Sequence, residues 1–307
     1  MRIRALNPAD HDEWARLRLA LWPDCGPDLP TEIDEYHEKG LIGGLRSQVL
    51  VVDRGDGRLG GFIEASLRPI ASGCRTSPVG YVEGWYVDED LRRRGLGRAL
   101  VDGAIDWAKR HGCREIASDY EFDNTTSRAA HAALGFRPAA REVAVLRAAP
   151  DAARSETVDA VGLMPFDLRS ETAVAFVTDP AAGGIALFAG TTRAETSPDG
   201  RELLALDYEA YPEMAERQLR DLAAGARSRW PILRLVLLHR TGRVALGKAS
   251  VLIAVSTPHR PEAFEACRWL IDTLKADLAV WKKEMWAGAA ATWAKPNREW
   301  RRGDVEG

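Results

Sequence analysis

Apolar positions along the chain fall into two periods, two and three-to-four, which read as strands and helices respectively. Residues 1–6 alternate as a strand, and a helix over about 10–22 carries Trp14, Leu17, Leu21 and Trp22. Residues 48–53 and 60–67 predict a hairpin around Gly55-Asp56-Gly57. Val79–Val87 reads as a long strand, followed by a helix to about His111 with Leu96, Leu100, Ala104, Ile105 and Ala108 on one side. In the second half the pattern predicts strands at Asp159–Met164, Gly184–Thr191, Leu203–Ala210, 232–240 and 248–256, the last two joined through a glycine-containing turn. Helices are predicted over 168–178, stopped by Asp179-Pro180, and over 212–229. The last helix, 261–275, carries Phe264, Cys267, Leu270, Ile271 and Leu274 as a single apolar stripe expected to be buried. Pro261 suits its first position, Glu262 and Glu265 its first turn, and Lys275 its last.

These alternations predict an α+β protein of two domains. Between them, residues 148–155 contain no large apolar side chain and read as a linker. We place the domains at 1–147 and 158–307 with a linker over 148–157, and the halves are not repeats of each other. A length of 307 residues and a hydrophobic content of 46% fit two cored domains. No apolar run approaches a membrane span, and the N-terminus does not read as a signal peptide. Cys25, Cys74, Cys113 and Cys267 are far apart, without a CxxC pair, which predicts reduced thiols, a cytoplasmic location and no metal. Charge is even: residues 1–150 carry 21 Lys+Arg against 23 Asp+Glu, and residues 151–307 carry 21 against 22. No basic field argues for nucleic acid.

Two places carry candidate chemistry. In the first half, Arg92-Arg93-Arg94-Gly95-Leu96-Gly97-Arg98 lies between the Val79–Val87 strand and the helix after it. Glycines there let the backbone approach a phosphate, and the free N–H groups and dipole of the helix face it. A glycine-rich turn after a strand is usually only a turn, and the strand–turn–helix context is what gives this one weight. Upstream, Asp24, Asp28, Glu32, Asp34, Glu35 and Glu38 form either a solvated helix face or a rim that attracts a cation. In the second half, His259 and Arg260 precede the last helix, and Lys275, Lys282 and Lys283 follow its body. They read either as solvated charges at helix ends or as the lining of an anion pocket.

Residue order narrows both. Arg92 to Gly97, with Asn124 and Leu134-Gly135-Phe136, resembles the acetyl-CoA-binding pattern of the GNAT acetyltransferases. Leu21-Trp22-Pro23, Val82-Glu83-Gly84, Ala117-Ser118-Asp119, Asp123 to Ser127 and His131 are similar to aminoglycoside 6′-N-acetyltransferases. The resemblance implies the GNAT acyl-CoA N-acyltransferase fold, with the 79–87 strand splayed from 115–119 to leave a slot for the pantetheine arm. It also implies acetyl-CoA as co-substrate, held by Val87, Arg92, Arg93, Arg94, Gly95, Leu96, Gly97, Arg98 and Asn124. Trp22, Glu83 and Asp119 would face a cationic amine acceptor, with one carboxylate removing a proton before attack. His131 falls where many such enzymes have a Tyr that protonates the leaving thiolate, and it either serves so or packs in its helix. Residues 69–77 lack the aromatic that often contributes to the substrate site.

Phe188–Arg193, 206–214, Arg229–Pro231, His239–Gly242 and the stretch from Thr257 to Trp286 resemble the molybdopterin synthase catalytic (large) subunit. That likeness implies an α/β hammerhead-type fold and sulfur transfer from the Gly-Gly thiocarboxylate of a small sulfur-carrier subunit to cyclic pyranopterin monophosphate. Carried over, Lys275 is the essential lysine, Lys282 the second active-site lysine, and Arg193, His259 and Arg260 the anion-binding positions. Ala279 stands where the family commonly has Pro, and the loop 194–200 departs from the usual polar or basic segment. The tail from Trp293 onward is expected either to close a neighbouring subunit's pocket or to be disordered. The expected protein is a cytoplasmic, homodimeric fusion of two transferases, with no permanently bound cofactor and no metal, nucleic-acid or membrane partner. The first half would acetylate an aminoglycoside or another amine, such as a protein or metabolite. The remaining alternative is a non-catalytic scaffold.

Overall fold

The computed structural model describes residues 1–24, 29–121, 123–139, 143–147 and 159–294. The expected linker, the tail beyond Ala294, Cys25 and Asp28 lie outside these residues. The chain divides into two compact units, Met1–Glu156 and Thr157–Gly307, each taken by itself here.

In the first unit, β1 (Arg2–Ala5), β2 (Leu41–Ile42), β3 (Leu45–Asp53), β4 (Leu59–Arg68), β5 (Val79–Val87), β6 (Glu115–Asp119), β7 (Arg137–Pro138) and β8 (Val143–Arg147) build one sheet. Its order is β1-β3-β4-β5-β6-β8-β7, with β2 on β3. The β5–β6 pair is parallel and joined from Gly80–Ile116 to Val82–Ser118. Past those residues the two strands part, which is the expected splay. Helices α1 (His11–Leu21) and α2 (Leu29–Lys39) cover one face, burying Trp14, Leu17, Leu29 and Ile33 against Val49, Val51, Leu59 and Phe62. On the other face lies α3 (Leu96–Arg110), burying Leu100, Val101, Ala104, Trp107 and Ala108. Covered from both sides, the buried part of β4, residues 59–66, is apolar on both faces except for Glu64 and Ser66. A short α4 (Thr125–Ala133) completes the unit.

In the second unit, β9 (Asp159–Met164), β10 (Gly184–Thr191), β12 (Arg234–Arg240) and β14 (Ala249–Thr257) form a sheet ordered β10-β14-β12-β9. A second sheet is ordered β13-β11-β15-β16, from β11 (Leu203–Ala210), β13 (Gly242–Ala245), β15 (Val280–Trp286) and β16 (Thr292–Trp293). The pattern of apolar residues did not predict β13, a strand of which only Val244 is buried. Helices α6 (Pro212–Arg227) and α7 (Arg260–Asp277) cover the first sheet with one continuous core, including Leu219, Leu235, Ile253 and Leu270. Helix α5 (Ser170–Val177) also packs against this sheet and buries Phe176 beneath the Arg234 guanidinium.

The expected stripe of α7 needs one correction. Cys267, Leu270, Ile271 and Leu274 are buried, but Phe264 is 65% exposed. The buried line runs through Ala263 and Ala266 instead, because the close approach of α7 to the sheet admits only small side chains near its start.

Candidate functional sites

In the first unit the β5–α3 corner presents an open helix start. Gly95 precedes the helix at φ +79°, a conformation that favours glycine, and no side chain caps the helix. No acidic residue lies in its first turn, so the orphan N–H groups keep their positive field. Gly97 has a further reason to be glycine: a Cβ there would come within 2.9 Å of the Trp85 ring. The arginines divide by role. The Arg92 Nε donates to the Val87 carbonyl (3.0 Å), and Arg98 donates to the Ala133 carbonyl at the end of α4 (2.8 Å). Arg93 holds a positive φ of 61°, and Arg93 and Arg94 are exposed beside the helix start. The Asn124 side chain caps α4 by accepting from the Ser127 N–H (2.9 Å).

The expected acceptor residues are less alike than their sequence suggested. Glu83 is not at a strand end. It is the extra residue where the β4–β5 register shifts between Glu64–Gly84 and Ala65–Val82. Its carboxylate already accepts from Ser66 and from Arg68 through both Nε (3.0 Å) and Nη2 (2.5 Å). Arg68 in turn stacks on the Tyr81 ring, 3.4 Å from its centroid. Asp119 is exposed at the end of β6, where the strands part. Burial, then the Asp119 charge, pushes the Tyr81 hydroxyl pKa up. Trp22 caps the end of α1 and packs against β5, where a Cβ at Gly84 would clash with the edge of its ring at 2.2 Å. His131 is buried and edge-on to Trp85 and Phe136. Its Nδ1 donates to the Ser127 carbonyl (2.8 Å) and its Nε2 meets the Ser118 hydroxyl (2.9 Å). Burial lowers its pKa, so it sits as a neutral, packed ring.

Sequence reasoning missed a buried acid behind this site. Glu64 is 1% exposed, accepts from the Trp14 indole (3.0 Å) and faces Arg18 (3.1 Å). Desolvation raises its pKa to about 7.

In the second unit, helix geometry sorts the cations. Arg260 opens α7 and Lys275 lies fifteen residues later, so roughly 22 Å of helix separates them. They do not share a pocket within one chain. The Arg260 backbone abuts Gly184 at the start of β10. Helix α7 packs along β10 and β14, so Lys275 lies toward the far end, where Thr191 pairs with Ala249 and Arg193 follows. That end is tightly fixed. The Thr192 N–H donates to the Lys248 carbonyl (3.0 Å), and the Gly247 N–H to the Thr192 carbonyl (2.7 Å). Lys282 lies opposite Tyr208 in the β11–β15 pair. Lys275, Lys282 and Arg193 are exposed, and Arg193 pairs with Glu195 (2.7 Å). The loop after Arg193 closes on itself through the Thr196–Glu202 bridge. Lys283 pairs with Glu209 and lies 4.3 Å from the Trp293 ring centroid.

The Gln218 side chain of α6 spans the turn between the two lysines. It donates to the Asp277 carbonyl (3.0 Å) and accepts from the Ala279 N–H (2.8 Å). A proline at 279 could not make the second bond, which gives the Ala279 departure a physical consequence. His239 is buried, donates from Nδ1 to the Arg240 carbonyl (2.8 Å), and has its pKa lowered by desolvation to about 4. Among the described residues, no cluster of three or more His, Cys, Asp or Glu is disposed to hold a metal ion, and no helix is long and apolar enough to cross a membrane.

Comparison with known proteins assigns each unit separately. The model of the MoaE protein family matches residues 163–277, and that of the acetyltransferase (GNAT) family matches residues 11–136. A molybdopterin synthase catalytic subunit from Nostoc sp. is 43% identical over 135 residues, covering 44% of this chain and 79% of the relative. Its counterpart from Homo sapiens is 37% identical over 149 residues, covering 48% of this chain and 77% of the relative. Among solved structures, the aminoglycoside N-acetyltransferase AAC(6')-Iy with a CoA bisubstrate analog is 33% identical, covering 45% of this chain and 92% of that one, at a TM-score of 0.41.

Proposed function

Because this chain belongs to the molybdopterin synthase catalytic subunit family through its second unit, and to the GNAT acetyltransferases through its first, we propose that it is a bifunctional transferase. The second unit moves sulfur from a thiocarboxylated small subunit to cyclic pyranopterin monophosphate. The reading rests on one observation: Lys275, Lys282 and Arg193 lie toward one end of the unit, while His259 and Arg260 lie at the other end of α7. The pocket is therefore completed in a homodimer, with His259 and Arg260 supplied by the second copy. Arg193 and the second copy's Arg260 fork onto the substrate phosphate. Lys282 attracts the anionic glycine tail, and Lys275 is the base or nucleophile. Reconstitution with the thiocarboxylated small subunit and the cyclic pterin tests this: the wild type forms molybdopterin and Lys275→Ala does not. Undiminished sulfur transfer by Lys275→Ala overturns the assignment.

The first unit transfers an acetyl group from acetyl-CoA to an amine. The uncapped start of α3, with Arg93 and Arg94 beside it, fits the pyrophosphate, and the parted ends of β5 and β6 fit the pantetheine arm. Bound there, acetyl-CoA supplies the thioester. Asp119 holds the amine and takes up its proton, directly or through water. A specific observation favours an acceptor other than a polycationic aminoglycoside: Arg68 and Ser66 already occupy Glu83, so of the pair Glu83 and Asp119 it is Asp119 that is left exposed to the amine. Release of free thiol from acetyl-CoA with aminoglycosides and with monoamines separates the two. Fastest turnover with an aminoglycoside contradicts this preference.

A further inference from the structure

Helix α7 ends where its own sequence supplies no stop. Ala276-Asp277-Leu278-Ala279-Val280 holds no glycine or proline, and Leu278, which follows the last turn, is extended at φ −69° and ψ 129° rather than left-handed. Alanine at 279 is the best of helix formers. Were the helix to run on, the Ala279 N–H would bond to the Lys275 carbonyl, and the Asp277 carbonyl would accept from the Trp281 N–H. Gln218 takes both groups. Its Nε2 donates to the Asp277 carbonyl (3.0 Å) and its Oε1 accepts from the Ala279 N–H (2.8 Å). Its backbone is fixed, since α6 buries Ala215, Leu219 and Leu222 in the core on either side of it. The turn it holds is tight: the Val280 N–H donates to the Leu278 carbonyl (2.8 Å), and Val280 opens β15 opposite Ala210. Lys275 lies two residues before the first Gln218 contact, and Lys282 three residues after the second.

We propose that Gln218 is a positioning residue for sulfur transfer, a stop supplied by α6 that ends α7 at Asp277 and so sets Lys275 on the helix against Lys282 on β15. Its purpose rests on the sulfur-transfer reading above, and its action on the two hydrogen bonds. Without it, α7 winds on through Leu278 and Ala279, the Val280–Ala210 pair opens, and the strand that carries Lys282 is drawn toward the helix. Displacing a catalytic group by about 1 Å costs on the order of 10²-fold in rate. The remaining β11–β15 pairs hold the movement to less than that.

The turn supplies its own control. A proline has no N–H to continue a helix and disfavours helical backbone in the residue before it. Leu278 already has the extended backbone that a residue before proline adopts. Ala279 is not among the residues of positive φ, so the turn centred on it is the inverse γ type, with φ of about −75°, close to what a proline ring fixes. Ala279→Pro therefore ends α7 by a second means that does not need Gln218.

The test uses the full chain with Gln218→Met, Ala279→Pro and the double variant. Methionine keeps the length of the side chain and suits a helix while removing both polar groups. Gln218→Met is expected to lower kcat for molybdopterin formation about tenfold, with KM for the pterin within about twofold and acetyl transfer by the first unit unchanged. Ala279→Pro alone stays within about twofold of wild type, and the double variant returns to the level of Ala279→Pro, because the proline replaces the lost stop. A purely structural role would instead lower Tm and leave kcat of the folded enzyme unchanged. An undiminished kcat in Gln218→Met, or a double variant no better than Gln218→Met, overturns the proposal. A second readout needs no turnover: a crystal structure of Gln218→Met is expected to show α7 continued past Asp277, with the Ala279 N–H on the Lys275 carbonyl. A turn unchanged from that of the wild type also overturns the proposal. If the wild type forms no molybdopterin, the sulfur-transfer reading falls and takes the positioning role with it, while the crystal structure still decides whether Gln218 is what ends the helix.

Discussion

The two units place their charged groups in opposite ways. In the first, the candidate carboxylates and arginines are mostly engaged: Glu83 with Arg68 and Ser66, Arg92 with Val87, Arg98 with Ala133. What remains available is backbone, the uncapped start of α3, and one carboxylate, Asp119. In the second, Lys275, Lys282 and Arg193 are exposed, while the fixed polar groups lie behind them. A site that binds one end of a long ligand through backbone N–H groups can be complete within a strand, a turn and a helix. On our proposal, the second site admits another protein's tail and a phosphate and draws its cations from three distant segments and from two chains.

Substitutions that remove a cation sharpen this contrast most. Lys275→Ala is expected to lower molybdopterin formation about 10³-fold, with acetyl transfer unchanged. Equal loss of both activities would erase the distinction between the units. Next in size, Asp119→Asn should lower kcat/KM for acetyl transfer about 10²-fold, as expected for loss of a general base. Glu83→Gln should cost clearly less, because Arg68 already claims that carboxylate. Steady-state thiol release with one amine acceptor ranks the two, and a larger loss for Glu83→Gln would reverse our assignment.

One buried group in each unit should respond to acid in the opposite sense to the other. The buried Glu64 has its pKa raised to about 7 from an ordinary 4.5. Its proton is therefore bound more tightly in the folded unit, and the penalty it imposes shrinks as pH falls from 7 toward 5. His239 is the reverse, lowered from 6.5 to about 4. It resists protonation when folded, so the second unit loses stability as pH falls through the same window. Each effect amounts to about 2 kcal/mol between pH 7 and 5. Because His37 and His131 of the first unit are also lowered by burial and act in the same sense as His239, the two causes are read by difference from the wild type. Thermal unfolding at the two pH values should show that Glu64→Gln makes the first transition more acid-sensitive and that His239→Gln makes the second less so, and no change in either pH dependence would contradict these two causes.

The smallest effect concerns α7. Phe264→Ser should change stability by less than about 0.5 kcal/mol, whereas Leu270→Ala should cost about 2–5 kcal/mol. Chemical denaturation of the two variants distinguishes the buried line through Ala263 and Ala266 from the stripe that a plain count of apolar residues suggests.

That difference also shows what could be read from the sequence. Strands β5, β9, β10 and β11 agree end to end with the strands read from the apolar pattern, because each is a contiguous run bounded by polar, glycine or proline residues. The β5–α3 corner was legible because its parts are contiguous. The separation of Arg260 from Lys275 was implicit in fifteen helical residues. The pairing of Glu83 with Arg68 was not legible, since it depends on strand register and on the extra residue at the β4–β5 shift. Nor was the second duty of Gly97, which depends on where Trp85 points. The link through Gln218 joins segments about sixty residues apart, and no spacing rule announces it.

The account depends most on a site shared between two copies of the chain, and complementation tests that directly. Lys275→Ala and Arg260→Ala chains, differently tagged and co-expressed, can be purified as the mixed dimer and supplied with the thiocarboxylated small subunit and cyclic pterin. One of its two sites then holds an intact Lys275 from one copy and an intact Arg260 from the other. We predict about half of wild-type molybdopterin formation from the mixed dimer and background from either variant alone, and a mixed dimer at background would contradict the shared site.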